Sequence, residues 1–150
     1  MKVAIVGTRT FDDYKLFKRI VNHILCLLNP TVEAFISGGA SGADTMAEQF
    51  ANEYNTPIII YRADWNQYGK AAGAIRNRKI IQECDICIAF WDGESRGTKM
   101  DIDLCETFHK PCYIVSYKEF SQQQPTLFDN EKITYYDGHK YLGPIVFNEE

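Results

Sequence analysis

Five short apolar runs, at residues 3–6, 34–36, 57–61, 86–90 and 112–115, constrain this chain more than any other feature. They are near-continuous rather than alternating. That is the pattern of strands buried on both faces of a parallel sheet. Helical periodicity fills the gaps. Phe17, Ile20, Val21, Ile24 and Leu28 form one apolar stripe, with Asp12 or Asp13 as its cap. Ala43, Met46, Ala47, Phe50, Ala51 and Tyr54 form a second. Residues 71–84 give a less regular third, and residues 98–109 a fourth with Leu104, Cys105 and Phe108 inward. Strand alternating with helix predicts the α/β class. The expected fold is a Rossmann-like, doubly wound one with a mainly parallel five-stranded sheet.

The last quarter of the chain departs from this pattern. Residues 117–132 are polar and irregular. Two strand-like runs, 133–136 and 139–142, then flank Asp137-Gly138, a strong signal for a C-terminal β-hairpin. Residues 144–147 read as one further strand. The expected organisation is a nucleotide-binding domain over 1–116, with a linker and hairpin over 117–150 packed on it.

A chain of 150 residues can bury roughly two-thirds of its unfolded surface, so one core needs no staples. The net charge of -4 argues against bulk, sequence-blind binding of nucleic acid, which draws on surplus Lys and Arg. No apolar run approaches the ~20 residues that span a bilayer, so no membrane partner is expected. Five cysteines, an odd count with no leader-like segment ahead of them, predict reduced thiols and a cytoplasmic setting. Cys84 and Cys87 form a lone C-x-x-C and read as core thiols, one at a helix end and one inside a strand. The three histidines share no metal-ligand spacing. Neither a metal nor a cofactor is expected.

The unusual residues gather where strands end, which is where open α/β sheets bind ligands. Gly7-Thr8-Arg9 follows the first strand. Ser37-Gly38-Gly39-Ala40-Ser41-Gly42-Ala43-Asp44 follows the second, and Trp91-Asp92-Gly93-Glu94-Ser95-Arg96-Gly97-Thr98 the fourth. Both longer loops run into helices, whose N-termini offer unpaired N–H groups and a positive dipole end. Glycines let a phosphate approach the backbone. Ser37, Ser41, Ser95 and Thr98 add hydroxyls, and Arg9 and Arg96 can fork onto phosphate oxygens. The competing reading makes these glycines tight turns and leaves Arg96 in solvent. Neither G-x-G-x-x-G nor a P-loop is present. A third cluster follows the third strand. In it Asp64, Trp65, Tyr68, Lys70, Arg76 and Asn77 offer a stacking surface and charge for a base, or else form an exposed loop and a basic helix.

These stretches together resemble the SLOG superfamily, and within it the small YspA-like branch. The resemblance rests on Gly7-Thr8-Arg9-Thr10-Phe11, Ser37 to Asp44, Ala63-Asp64-Trp65, Gly69-Lys70-Ala71-Ala72-Gly73, Ile75-Arg76-Asn77-Arg78 and Phe90 to Thr98. It covers roughly the first 115 residues, in order. It implies a nucleotide or nucleotide-derived ligand, such as a nucleoside phosphate or an ADP-ribose-like molecule, at the glycine-rich loops of a sensing or sequestering module. The superfamily also contains LOG phosphoribohydrolases, a DNA-processing protein that binds single strands, and sensors of NAD-derived signals. It implies self-association too, so a homodimer is the expectation. LOG enzymes carry Pro-Gly-Gly-x-Gly-Thr-x-x-Glu. Here Gly97-Thr98 matches, Asp101 stands in place of that Glu, and Pro-Gly-Gly is missing. The implied hydrolase would cleave the base–ribose bond of a nucleoside monophosphate with Arg96 and a carboxylate, Asp101 or Glu94. The competing reading has Asp101 favouring its helix N-terminus.

One motif lies outside this resemblance. Gln124-Pro125-Thr126-Leu127-Phe128 resembles the Q-x-x-L-F peptide that docks proteins on the DNA sliding clamp. Gln124, Leu127 and Phe128 would be the contacts, with the two apolar anchors filling a groove. Otherwise Leu127 and Phe128 staple a loop to the domain.

Overall fold

The computed structural model describes residues 1–119 and 133–142. The five apolar runs become parallel strands: β1 (Lys2–Gly7), β2 (Ala34–Ser37), β3 (Ile58–Ile60), β4 (Ile86–Trp91) and β5 (Cys112–Ser116). Antiparallel β6 (Ile133–Tyr136) and β7 (Tyr141–Leu142) follow. All join one sheet in the order β3-β2-β1-β4-β5-β6-β7. The hairpin thus extends the parallel sheet, with Val115 opposite Ile133 and Cys112 opposite Tyr136. Its turn is longer than the two residues expected. Asp137 Oδ1 accepts from the amides of His139 and Lys140, both at 2.8 Å, so β7 begins only at Tyr141. The clamp-like residues Gln124, Leu127 and Phe128, and the run at 144–147, lie outside the described residues.

The near-continuous strands have a simple cause: each face lies under helices. α1 (Tyr14–Leu28) and α2 (Ala43–Glu53) join the core that holds Val3, Ile5, Phe17, Phe35, Phe50, Ile88 and Phe90. A separate core holds Ala4, Val6, Ile36, Cys87 and Ala89 with Ile80 and Ile81 of α4 (Ala72–Glu83) and Ile102 and Cys105 of α5 (Arg96–Thr107). Neighbours along β1 therefore alternate between two dry layers. Asp13 is the cap of α1, accepting from the Leu16 amide at 3.1 Å. Tyr54 leaves its expected stripe: it is the C-cap of α2 and is 47% exposed. The third expected helix forms as α4, and a further, unexpected turn stands ahead of it. A single turn, α3 (Trp65–Tyr68), precedes α4, and Gly69 at φ 55° turns the chain between them. Among the described residues, no helix is long and apolar enough to cross a membrane.

The strand order reverses at β1. The chain leaves β1 for β2 on one side and returns to β4 on the other. Loops that diverge at this point leave a crevice beyond the carboxyl ends of β1 and β4.

Candidate functional site

The crevice is a cleft of about 450 Å³, which falls in the range of small-ligand sites. Its floor is Gly7-Thr8 beyond β1. Thr8 donates its amide to the Phe90 carbonyl at 2.9 Å and takes the Asp92 amide on Oγ1 at 3.3 Å, tying the β1 and β4 ends together. One wall is the loop after β2. Gly42 stands at φ 77°, and a Cβ there would lie 2.4 Å from the Thr8 carbonyl oxygen, so glycine alone fits. Ser41 Oγ donates to the Arg9 carbonyl at 3.2 Å. Ser37 is fully buried beneath the loop, its Oγ accepting from Gly39 and donating to the Asp44 carbonyl, both at 3.4 Å.

Two carboxyls and a guanidinium define the interior. Asp44, in the first turn of α2, is 7% exposed and accepts the Ala40 amide on Oδ2 at 3.1 Å. Burial pushes its pKa up to about 6, against the opposing pull of the Ala40 amide and of Arg76. Asp101 comes from the second turn of α5 and is 6% exposed. Its Oδ1 is enclosed with no hydrogen-bond partner among the described residues. Burial, and then the charge of Asp44, push Asp101 well above the ordinary carboxylate range. Arg76 enters from α4. It donates Nη1 to the Gly38 carbonyl and Nε to Asn77 Oδ1, both at 2.8 Å.

A second hollow of about 320 Å³ shares Arg9, Gly38, Ala40 and Arg76 with the first, and adds Gly39, Ser41, Arg62 and Trp65. It collects arginines where the first collects carboxyls. A third, shallow groove lies along the outer side of α5 and is lined by Trp91, Gly93, Glu94 and Arg96.

The first 68 residues match the profile of the YspA, cpYpsA-related SLOG family. The chain is 39% identical over 105 residues to Gene 61 protein of Mycobacterium phage D29, spanning 65% of this chain and 82% of that one. The chain belongs to the YspA-related SLOG family. Its fold is shared with DNA processing protein A of Helicobacter pylori, whose single-stranded DNA binding mode has been described. That likeness has a TM-score of 0.59 at 21% identity, over 83% of this chain and 68% of that one. The structural-genomics protein TM1055 is similar with a TM-score of 0.54 at 17% identity, over 74% of this chain and 71% of that one.

In this SLOG chain the fold gathers most of the residues expected at the site. Gly7, Thr8, Arg9, Gly38, Ala40, Asp44, Arg76, Asn77, Ser95, Gly97, Thr98 and Asp101 line the cleft. Gly39, Ser41 and Trp65 line the adjoining hollow. Others stand elsewhere. Ser37 and Gly42 support the loop from behind. Asp64 caps α3 through the Gln67 amide at 3.1 Å, and Tyr68 and Lys70 are exposed beyond it. Arg96 is the first residue of α5 rather than part of a loop, so the loop after β4 is only Asp92-Gly93-Glu94-Ser95. Arg96 and Glu94 face the outer groove, apart from Asp101. Arg62 was not among the expected residues, although it follows the end of β3 and the strand-end rule points to it.

Proposed function

We propose that the cleft binds a nucleotide or nucleotide-derived ligand, as a sensing or sequestering module of the SLOG family. The observation that carries this reading is Asp101: a buried carboxyl whose Oδ1 has no hydrogen-bond partner among the described residues, on a side chain that lines a cleft at the sheet's switch point. A buried polar atom left unpaired costs about 1–3 kcal/mol, so a ligand hydroxyl or amine that meets it recovers that loss. A ribose diol suits a pair of carboxyls in which one keeps its proton. Phosphate would be held differently than expected from glycines alone. The Ala40 amide is already taken by Asp44, so the charge falls to Arg9 and Arg76. The first turn of α2 has no side-chain cap, which leaves its amides available as well.

The test is thermal stabilisation by a panel of nucleoside mono- and diphosphates and ADP-ribose, since a ligand of the native state alone raises Tm. We expect at least one to shift Tm, and Arg76→Ala and Asp101→Asn each to remove the shift. No shift with any of them in the wild-type protein overturns the reading.

The raised pKa of Asp101 favours a second reading, hydrolysis of an N-glycosidic bond. A carboxyl that burial pushes toward its protonated form can pass its proton to a departing base, while water supplies the new bond at the anomeric carbon. Arg76, which shares the cleft with Asp101, is better placed for this than Arg96. Release of free base from a nucleoside monophosphate, lost in Asp101→Asn, would establish turnover.

A further inference from the structure

Away from the cleft, three thiols meet between the sheet and α5. Cys87 and Cys112 are register partners on the adjacent parallel strands β4 and β5. Their side chains share the face covered by α5, and Cys105 of that helix packs in the same core. All three residues are fully buried, and their Sγ atoms lie within 4.8 Å of one another. Lys110, in the connection from α5 to β5, adds a nearby cation. Its Nζ donates to the carbonyls of Cys84 at 2.7 Å and Gln82 at 3.2 Å, and its charge reaches Cys105. An aliphatic side chain would fill any of these places equally well; sulfur adds a convergent set of soft donors.

We propose that Cys87, Cys105 and Cys112 form a binding site for one thiophilic divalent metal ion, of the zinc and cadmium class. Zinc–sulfur bonds of about 2.3 Å set the sulfurs of one ion roughly 4 Å apart, so the observed spread closes with small side-chain rotations. On loading, three S–H bonds break, three metal–sulfur bonds form and three protons leave. M²⁺ with three thiolates carries a net charge of -1, and the Lys110 ammonium supplies the opposing charge that an enclosed anion needs. The expected role is structural: the ion ties two strands of the sheet to the helix that carries Asp101. The site is independent of what the cleft binds.

Because the thiols are enclosed, the ion is loaded during folding. The full-length protein is reduced, unfolded, refolded with Cd²⁺ and desalted, then assayed for retained metal and for thiolate-to-cadmium absorption. We expect one Cd²⁺ per chain, three protons released on binding, and a higher Tm than the metal-free protein. Cys105→Ala, a helical position that favours alanine, should lower retained metal at least tenfold, and Cys112→Ala likewise. Cys26→Ala, which removes the exposed cysteine outside the cluster, should retain it. Circular dichroism confirms that each variant is folded, and Cys105→Ser repeats the test should either alanine variant fail to fold. Wild-type protein that refolds without holding cadmium, or a folded Cys105 variant that holds it fully, overturns the proposal.

Discussion

The loops after β2 and β4 are built to one plan and reach opposite ends. Each folds onto an aspartate that accepts its amides. Asp44 takes that of Ala40, and Asp92 Oδ1 takes those of Glu94 and Ser95 at 2.9 and 2.8 Å. Asp44 is buried beside Asp101, and its pKa rises to about 6. Asp92 stays partly in water, and its two amide bonds hold its pKa below the usual range. The helix ends differ in the same sense. α5 is closed by Ser95, whose Oγ accepts the Thr98 amide at 3.4 Å, while no side chain caps α2. Both loops line the cleft, but only the one after β2 brings a buried acid and an uncapped helix start to it.

The largest test of this contrast uses backbone. Gly42→Ala sets a Cβ 2.4 Å from the Thr8 carbonyl oxygen and 2.7 Å from that of Arg9, at φ 77°. We expect it to cost about 3 kcal/mol or more in denaturant unfolding. Gly93→Ala shares the positive φ, at 87°, but meets nothing within 4 Å. It should cost about 1–2 kcal/mol, the left-handed penalty alone. Equal losses would break the distinction between a packed loop and an open one.

Charge comes next. Folded Asp44 keeps its proton up to about pH 6, whereas an unfolded aspartate releases it near its ordinary value of 3.8. Wild-type stability should therefore fall as pH rises from about 4 through 6, by up to roughly 3 kcal/mol at 1.36 kcal/mol per pH unit. Asp44→Asn should flatten that fall in urea titrations at stepped pH. Asp101→Asn should raise Tm at pH 7, because a buried group pushed toward its neutral form is replaced by a neutral one. A variant that gains stability and loses nucleotide response would mark Asp101 as kept for binding rather than for folding.

Asp92 should behave with the opposite sign. Its pKa is depressed in the fold, so its contribution is present above the ordinary carboxylate range and is lost as pH falls through the folded value. Asp92→Asn should lower stability at neutral pH by under about 1 kcal/mol, as expected of a partly solvated group. The smallest effect falls on the outer groove. Arg96→Ala should change nucleotide affinity by less than about twofold, against tenfold or more for Arg76→Ala, whose guanidinium makes charge-assisted bonds. A large effect at Arg96, read by calorimetry, would move the site to the outer side of α5.

Much of this was legible in the chain. The five runs became the five parallel strands, Asp-Gly marked the hairpin, and the glycine clusters fell at strand ends. The key carboxyls were legible too: Asp101 stood where the LOG pattern has its Glu, and Asp44 closed the glycine-rich loop after the second strand. Thr98, Asp101, Ile102 and Cys105 follow helical period, so Asp101 is a charged residue inside the buried stripe of α5, while Asp44 lies in the first turn of α2 beside buried Ala43, Met46 and Ala47. The outward turn of Arg96 was hidden, because Ser95 starts α5 earlier than the loop's composition suggests. The thiol cluster was hidden as well: Cys87 and Cys112 are 25 positions apart, and only strand pairing makes them neighbours.

By itself, then, the sequence determined the order of elements, the buried stripes and the strand ends that gather polar residues. These follow from periodicity and local backbone chemistry. Tertiary structure decided which polar residues share a space. It set Asp44, Asp101 and Arg76 around one cleft, moved Glu94 and Arg96 to another surface, and joined three distant cysteines. Those choices depend on how helices rotate against a sheet whose strand order reverses at β1, and a rotation between elements is written in no single element's sequence.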